Sequence, residues 1–329
     1  MWNRTSMQAC ELNLCLSVYI ITFITGFPAN VLAFYTFCRK VWKKPAPIDI
    51  LLLNLTISDL LFLLVLPFKM QEVVDNMIWN MPYFLCPLSG FVFYMTIYNS
   101  TFFLTAVSVE RYLGVAFPIQ HSLRRRPIYA VLASIFIWGF SVLHLSIVYI
   151  MPYYNPPGTG SVPRNICYEG FTDAQLQVLL PFRLELCIVL FCIPFLISSF
   201  CYINFIRILS QLPNIGRRRR LRAIGLALGT LLVFALCFGP YNVSHVVGFV
   251  KKESPEWRDK ALLLSTFNAC LDPFIFYFTS AAVRNALGAM VRGVWNKCRC
   301  PQVLWSSKKK KPSEMEKSNL PKPQEINAV

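Results

Sequence analysis

Apolar residues fall in seven long runs along this chain, each followed by a short polar or charged joint. A helix needs roughly 20 apolar residues to cross a bilayer, so runs of this length read as membrane-spanning helices. They cover about Leu12–Cys38, Ile48–Val74, Cys86–Pro118, Ile128–Ile150, Leu179–Leu209, Ala223–Val250 and Arg258–Ala281. The third is nearly free of charge until Glu110-Arg111, and at 1.5 Å per residue the distance from Cys86 to Arg111 is about 37 Å, one bilayer with its interfaces. That single helix carries a thiol at one end and a charged pair at the other. The pattern predicts an all-α integral membrane protein, a seven-transmembrane helix bundle spanning 12–281. A cytoplasmic amphipathic helix is expected over 282–297, where apolar and basic residues alternate. The segment 1–11 reads as an extracellular N-terminus, and 298–329 as a disordered cytoplasmic tail.

Composition supports this picture. The 329 residues are 55% hydrophobic and only 15% charged, and the mean hydropathy is +0.49, far more apolar surface than a soluble core of this length requires. The net charge of +16 would suggest nucleic acid in a soluble chain. Here the basic residues collect in joints, at Arg39-Lys40, Lys43-Lys44, Arg124–Arg126, Arg217–Arg220 and Arg222, and in the tail. They therefore mark the cytoplasmic side next to membrane lipid, and no nucleic-acid partner is expected.

This orientation places the N-terminus outside, with Asn3-Arg4-Thr5 as a glycosylation acceptor. The first apolar run is too long, and lacks a small-residue site behind it, to read as a cleaved leader. Cys298 and Cys300 follow the amphipathic stretch, where palmitoylation is expected. The polar loop between the fourth and fifth spans holds Cys167, and most other cysteines fall inside apolar runs. Cys86 and Cys167 share the oxidising face and are the natural disulfide pair. Cys10 and Cys15 are left unassigned.

Ionisable and aromatic groups inside the spans are candidate functional residues, because an unpaired charge in hydrocarbon costs several kcal/mol. Arg183 and Arg258 lie near the outer ends of the fifth and seventh spans with no obvious carboxylate at the same depth; Glu185, two residues from Arg183, points to roughly the opposite side of its helix. Two guanidinium forks facing one pocket suit a carboxylate. Tyr94 and Tyr98 share one face of the third span, and Tyr241 and His245 one face of the sixth. With His144 they would supply neutral donors and aromatic walls. Glu169, just after Cys167, is the acidic group nearest the pocket mouth and could hold an arginine while the site is empty. The ligand is expected to be a small anion.

The ordered landmarks Asn30, Asp59, Cys86, Glu110-Arg111-Tyr112, Trp138, Pro194, Tyr202, Pro240 and Pro273 resemble those of the rhodopsin-like G-protein-coupled receptors over nearly the whole chain. Two positions depart: Phe238 stands where that family usually has tryptophan, and Asp272-Pro273-Phe274-Ile275-Phe276 where it usually has Asn-Pro-x-x-Tyr. The strings ILLLNLTISDLL, FYMTIY, ERYLGVAFP, CYEGFTD, LPFRLELC, CFGPYNVSH and SPEWR are more specific, and resemble the short-chain free fatty acid receptors. That resemblance implies a receptor for short carboxylic acids at the plasma membrane, signalling through Gi/o and Gq/11 proteins and bound by arrestin. It implies that Arg183, Arg258 and His245 bind the carboxylate. It also implies that Glu110 restrains Arg111 at rest, that Tyr202 receives Arg111 on activation, and that Asp59 and Asp272 face one another beside Ser100 and Asn268. Two close carboxylates need a shared proton or a cation, and sodium suits the oxygen-only set. No other cofactor is expected.

Other classes fit less well. There are no internal repeats of the kind transporters show. With only three histidines there is no metal-binding or catalytic spacing, so no enzyme is expected. A receptor for another small anion remains the alternative.

Overall fold

The computed structural model describes residues 4–124, 126–154, 167, 171–212, 216–279, 281, 283–289 and 292. Asn3, Glu169, Cys298 and Cys300 lie outside them, as does the Cys10 side chain. The described helices are α1 (Arg4–Lys43), α2 (Pro47–Val74), α3 (Leu85–Ala116), α4 (Pro118–Arg124), α5 (Pro127–Ile150), α6 (Asp173–Leu186), α7 (Ile193–Gln211), α8 (Arg217–Val233), α9 (Gly239–Lys251), α10 (Arg258–Thr266) and α11 (Asn268–Thr279). A π-helical turn at Cys187–Cys192 joins α6 to α7 as the fifth span, and another at Phe234–Phe238 joins α8 to α9 as the sixth. The chain divides after Arg284 into the bundle and a second unit, Asn285–Val329, of which 285–289 are helical.

Helix starts follow local chemistry that hydropathy alone misses. Pro47 and Pro127 open α2 and α5, where the missing N–H costs nothing. The fifth span begins six residues before the apolar run because Thr172 and Gln175 form a reciprocal capping box. The sixth also starts six residues early, at Arg217: the arginines are good helix formers whose charge keeps them out of the apolar pattern. The seventh span was expected to be continuous and is broken at Phe267. There the bonds tighten to i,i+3, Phe267 N–H to Leu264 O and Cys270 N–H to Phe267 O. Six other helices among the described residues are long and apolar enough to cross a membrane; α10 and α11 together supply the seventh crossing.

The third span is central. In its most apolar window 72% of residues are buried, against 28% in the first and fourth spans, which turn most of their surface to lipid. Its buried face is studded with Thr96, Ser100, Thr101, Thr105 and Ser108, whose hydroxyls satisfy carbonyls within and between helices. Two of the prolines free a carbonyl that a neighbouring span then occupies. Pro194 leaves Leu190 O to the Thr101 hydroxyl at 2.9 Å; Pro273 leaves Ala269 O to Asn30 Nδ2 at 2.8 Å. The second contact needs Gly26, where a Cβ would come within 3.3 Å of Ala269 O.

Candidate ligand-binding site

At the outer end, Cys86 and Cys167 form the expected disulfide, with Cα atoms 5.7 Å apart and 81 residues between them in sequence. The bond ties the loop after the fourth span to the start of α3, and both sulfurs sit in a small cluster with Trp79.

Beneath it lies a narrow cavity of about 30 Å³ bordered by Tyr94, Tyr98, Arg183, Tyr241, His245 and Arg258, with Leu145, Ile147, Val148, Leu179 and Leu186 as its aliphatic wall. Four spans and the start of α10 contribute, so no single helix could build it. Arg183 is only 6% exposed; its Nη1 donates to Ser254 Oγ at 2.8 Å, and its guanidinium lies 5.8 Å from the Phe171 ring centre. Arg258 donates from Nη2 to Tyr241 Oη at 3.0 Å and meets its exposed neighbour Asp259 at 3.7 Å, an arrangement too exposed on the acidic side to neutralise it strongly. The Tyr94 and Tyr241 rings stack with centres 6.2 Å apart. Tyr98 Oη lies 3.3 Å from His245 Nε2, while His245 Nδ1 is buried without a hydrogen-bond partner.

His144 does not join this cavity. Its Nε2 lies 3.3 Å from Glu185 Oε1 and its Nδ1 3.0 Å from Phe140 O, on the seam between α5 and α6. The next residue, Leu145, lines the cavity instead: one position turns a helix by about 100°, enough to exchange which side chain faces inward. Glu185 is correspondingly the partner of a histidine and not a bystander. The aliphatic wall was missed in the sequence, although Leu179, Arg183 and Leu186 repeat at i, i+4 and i+7 on α6, a spacing that marks one face.

Deeper in the bundle, Ser100 Oγ donates to Asp59 Oδ1 at 3.5 Å, and Asp59 and Asp272 are close enough to interact electrostatically. A cavity of about 10 Å³ is lined by Asp59, Ser100, Asn268 and their neighbours but not by Asp272. Asp59 Oδ2, Asn268 Oδ1 and both Asp272 carboxylate oxygens are buried without a hydrogen-bond partner. No basic side chain lines this space, so the donor set fits a small hard cation held by oxygen. Among the described residues no three His, Cys, Asp or Glu side chains form a larger metal cluster.

At the inner end, Glu110 Oε1 and His121 Nε2 are 3.2 Å apart, which brings α4 onto α3. Arg111 Nε is buried without a hydrogen-bond partner, and Arg111 borders a 300 Å³ space with Glu110, His121 and Phe205. Tyr112 packs edge-on against Phe200 with ring centres 5.9 Å apart. Tyr202 Oη donates to Thr230 Oγ1 at 3.4 Å, so in this arrangement its hydroxyl is engaged with the sixth span.

A bundle of seven crossings, tied at one end by a disulfide, is the architecture of a multi-pass membrane protein. The family model described as 7 transmembrane receptor (rhodopsin family) matches residues 29–276. The chain is 51% identical to free fatty acid receptor 2 of Rattus norvegicus over 278 residues, covering 84% of each. It is 48% identical to free fatty acid receptor 3 of Mus musculus over 280 residues, covering 84% of this chain and 87% of that one. To free fatty acid receptor 2 of Homo sapiens it is 51% identical over 278 residues, again 84% of each. The chain therefore belongs to the rhodopsin family of seven-transmembrane receptors and, within it, to the short-chain free fatty acid receptor group.

Proposed function

We propose that this receptor sits in the plasma membrane with its N-terminus outside and responds to short unbranched carboxylates of the acetate, propionate and butyrate class. The observation that carries the reading is that Arg183 and Arg258, from different spans, border one small cavity together with neutral aromatic and aliphatic groups. Two buried cations facing the same space call for an anion, and a guanidinium fork binds a carboxylate with charge-assisted bonds. About 30 Å³ leaves room for little more than the carboxylate itself, so a longer tail must part Leu145, Leu179 and Leu186. His245, Tyr98 and Tyr241 are the neutral groups at hand to complete the carboxylate's coordination; Glu169 is the acidic group proposed for the mouth, and His144 acts through Glu185 from outside.

Binding is read out, on this proposal, by Gi/o and Gq/11 proteins and by arrestin at the inner face, where Arg111 is the group to be exposed and Glu110, Tyr112 and Tyr202 set its surroundings. The orphaned oxygens of Asp59, Asn268 and Asp272, with the Ser100 hydroxyl, would hold Na+, which supplies the positive charge that two buried carboxylates need. Asn3 is proposed to carry glycan and Cys298 and Cys300 to carry palmitate.

The test is a cAMP and calcium assay in cells against unbranched carboxylates of rising length and their methyl esters. Each added methylene first gains about 0.8 kcal/mol by burial and then overfills the cavity. Potency is expected to rise or hold over the first few carbons and to fall beyond about six, and the esters to be nearly silent because they lack the charge. A receptor that prefers long acids, or that answers esters equally well, does not use the arginines as its anchor.

A further inference from the structure

The outer loop between α9 and α10 contains a polar residue that lies over the cavity without lining it. Ser254 Oγ accepts the 2.8 Å hydrogen bond from Arg183 Nη1 across 71 residues of sequence, and Ser254 itself is exposed. The loop is held in place from both sides. Lys252 ends α9 with a left-handed backbone, φ 57°, which turns the chain back over the bundle. Gly248 then permits close packing: a Cβ there would lie 3.1 Å from Glu253 O, 3.4 Å from Pro255 Cδ and 3.5 Å from Leu180 Cδ2. On the other side Pro255 O accepts from Arg258 N–H at 3.1 Å and sets the start of α10. One short loop thus holds the Arg183 side chain by its serine and the Arg258 backbone by its proline.

We infer that this loop is a latch over the ligand cavity, in which the Ser254 hydroxyl occupies Arg183 Nη1 while the site is empty and is displaced by the ligand's carboxylate. The inference rests on the carboxylate reading above. A buried guanidinium needs an acceptor, and a neutral hydroxyl supplies one without neutralising its charge. An incoming carboxylate makes the stronger, charge-assisted bond, so the exchange runs toward the bound state. Breaking the latch frees the loop that covers Arg183, which makes Ser254 a positioning residue for access as well as for affinity.

Two measurements test this. In purified receptor without ligand, a double-mutant cycle of Ser254→Ala and Arg183→Leu on thermal unfolding is expected to show coupling: Ser254→Ala lowers the midpoint in the native background and has no effect once Arg183 is Leu. In cells, Ser254→Ala is expected to raise propionate potency about three- to tenfold, because the empty state loses an acceptor that the bound state does not use. Ser254→Thr, which keeps the hydroxyl, should match the native receptor. Gly248→Ala, which pushes Glu253 and Pro255 off the last turn of α9, should reproduce the gain without removing either polar group. Additive effects on unfolding, or unchanged or weaker propionate potency in Ser254→Ala, overturn the latch. A coupled cycle in a receptor that ignores every short carboxylate overturns the ligand reading, and the exchange with it, while leaving the Ser254 bond to Arg183 standing.

Discussion

At the outer end of the bundle two guanidinium groups are buried, Arg183 bonded to Ser254 and Arg258 to Tyr241, whereas at mid-membrane two carboxylates are buried with three of their four oxygens lacking a hydrogen-bond partner. Both clusters place like charges in a medium that penalises even one. Each guanidinium has one neutral acceptor, Ser254 for Arg183 and Tyr241 for Arg258, while Arg258 Nε is buried without a hydrogen-bond partner, so an incoming anion finds a donor still to be used. The anionic pair is left short of donors, so it favours a proton or a cation as a standing component. Size separates them as well: about 30 Å³ above and about 10 Å³ below. On the proposed reading the upper space takes a carboxylate, with Leu145, Leu179 and Leu186 parting for its tail, and the lower one a bare ion.

The largest effect should come from removing one guanidinium. Arg183→Ala or Arg258→Ala leaves the other cation and the ligand's charge in poor geometry, a cost of roughly 2–5 kcal/mol. That corresponds to a loss of about 30- to several-thousand-fold in potency, measured as cAMP inhibition by propionate at matched surface expression. Full potency in both variants would remove the upper cluster from the ligand site, and the contrast between the clusters would lose its functional meaning.

The disulfide provides a way to disturb the upper cluster alone. Cys86→Ser and Cys167→Ser each open the same bond, at a cost of about 2–5 kcal/mol, so the double variant should be no worse than either single one. Surface expression and thermal unfolding are the measurements. Any sodium dependence of unfolding should survive in all three, since Asp59 and Asp272 lie elsewhere in the bundle; strictly additive losses would mean that the two cysteines act separately.

The lower cluster can be addressed in turn by exchanging sodium for choline in purified receptor. Sodium at one to ten times its dissociation constant stabilises by about 0.4–1.4 kcal/mol, seen as a higher unfolding midpoint. Asp59→Asn and Asp272→Asn should each erase that shift. An equal sodium shift in both variants would show that these oxygens do not hold the ion.

How far these clusters could be read from the sequence differs from residue to residue. The crossings were legible because a bilayer demands long apolar runs, and Cys86 with Cys167 was legible because few other thiols fall on the outer face. Arg183, Arg258, His245, Tyr94, Tyr98 and Tyr241 were legible as a group because a polar side chain in a span needs a reason to be there, and the structure brings all six to one cavity. His144 was placed in the same group and instead faces Glu185, since a histidine's chemistry does not reveal which way its helix is rotated. Ser254 was not singled out at all. Serine in an outer loop carries no compositional signal, and its position over Arg183 depends on the left-handed Lys252 and the close contact at Gly248, which are backbone facts. The pairing of Glu110 with His121 was hidden for a similar reason, because it depends on α4 folding back onto α3.

The smallest expected effect tests how finely the upper cluster is tuned. Tyr98 Oη lies 3.3 Å from His245 Nε2 and 3.5 Å from Asn242 Oδ1, both at the long end of hydrogen-bond distances. Tyr98→Phe keeps the ring that packs with Leu145 and Leu186 and removes only the hydroxyl. His245 then loses its neighbour at Nε2 while its Nδ1 already lacks one, so the imidazole becomes freer to turn away from the ligand. Bonds this long place the change at the lower end of the usual range, about 0.5 kcal/mol, or roughly a twofold loss of propionate potency. The response to sodium should be unchanged, because Asn242 and His245 lie outside the lining of the lower cavity. A loss as large as that of the arginine variants would mean that Tyr98 and His245, and not the guanidinium pair, provide the main hold on the carboxylate; a loss of the sodium shift would mean that the two clusters are joined through the third span.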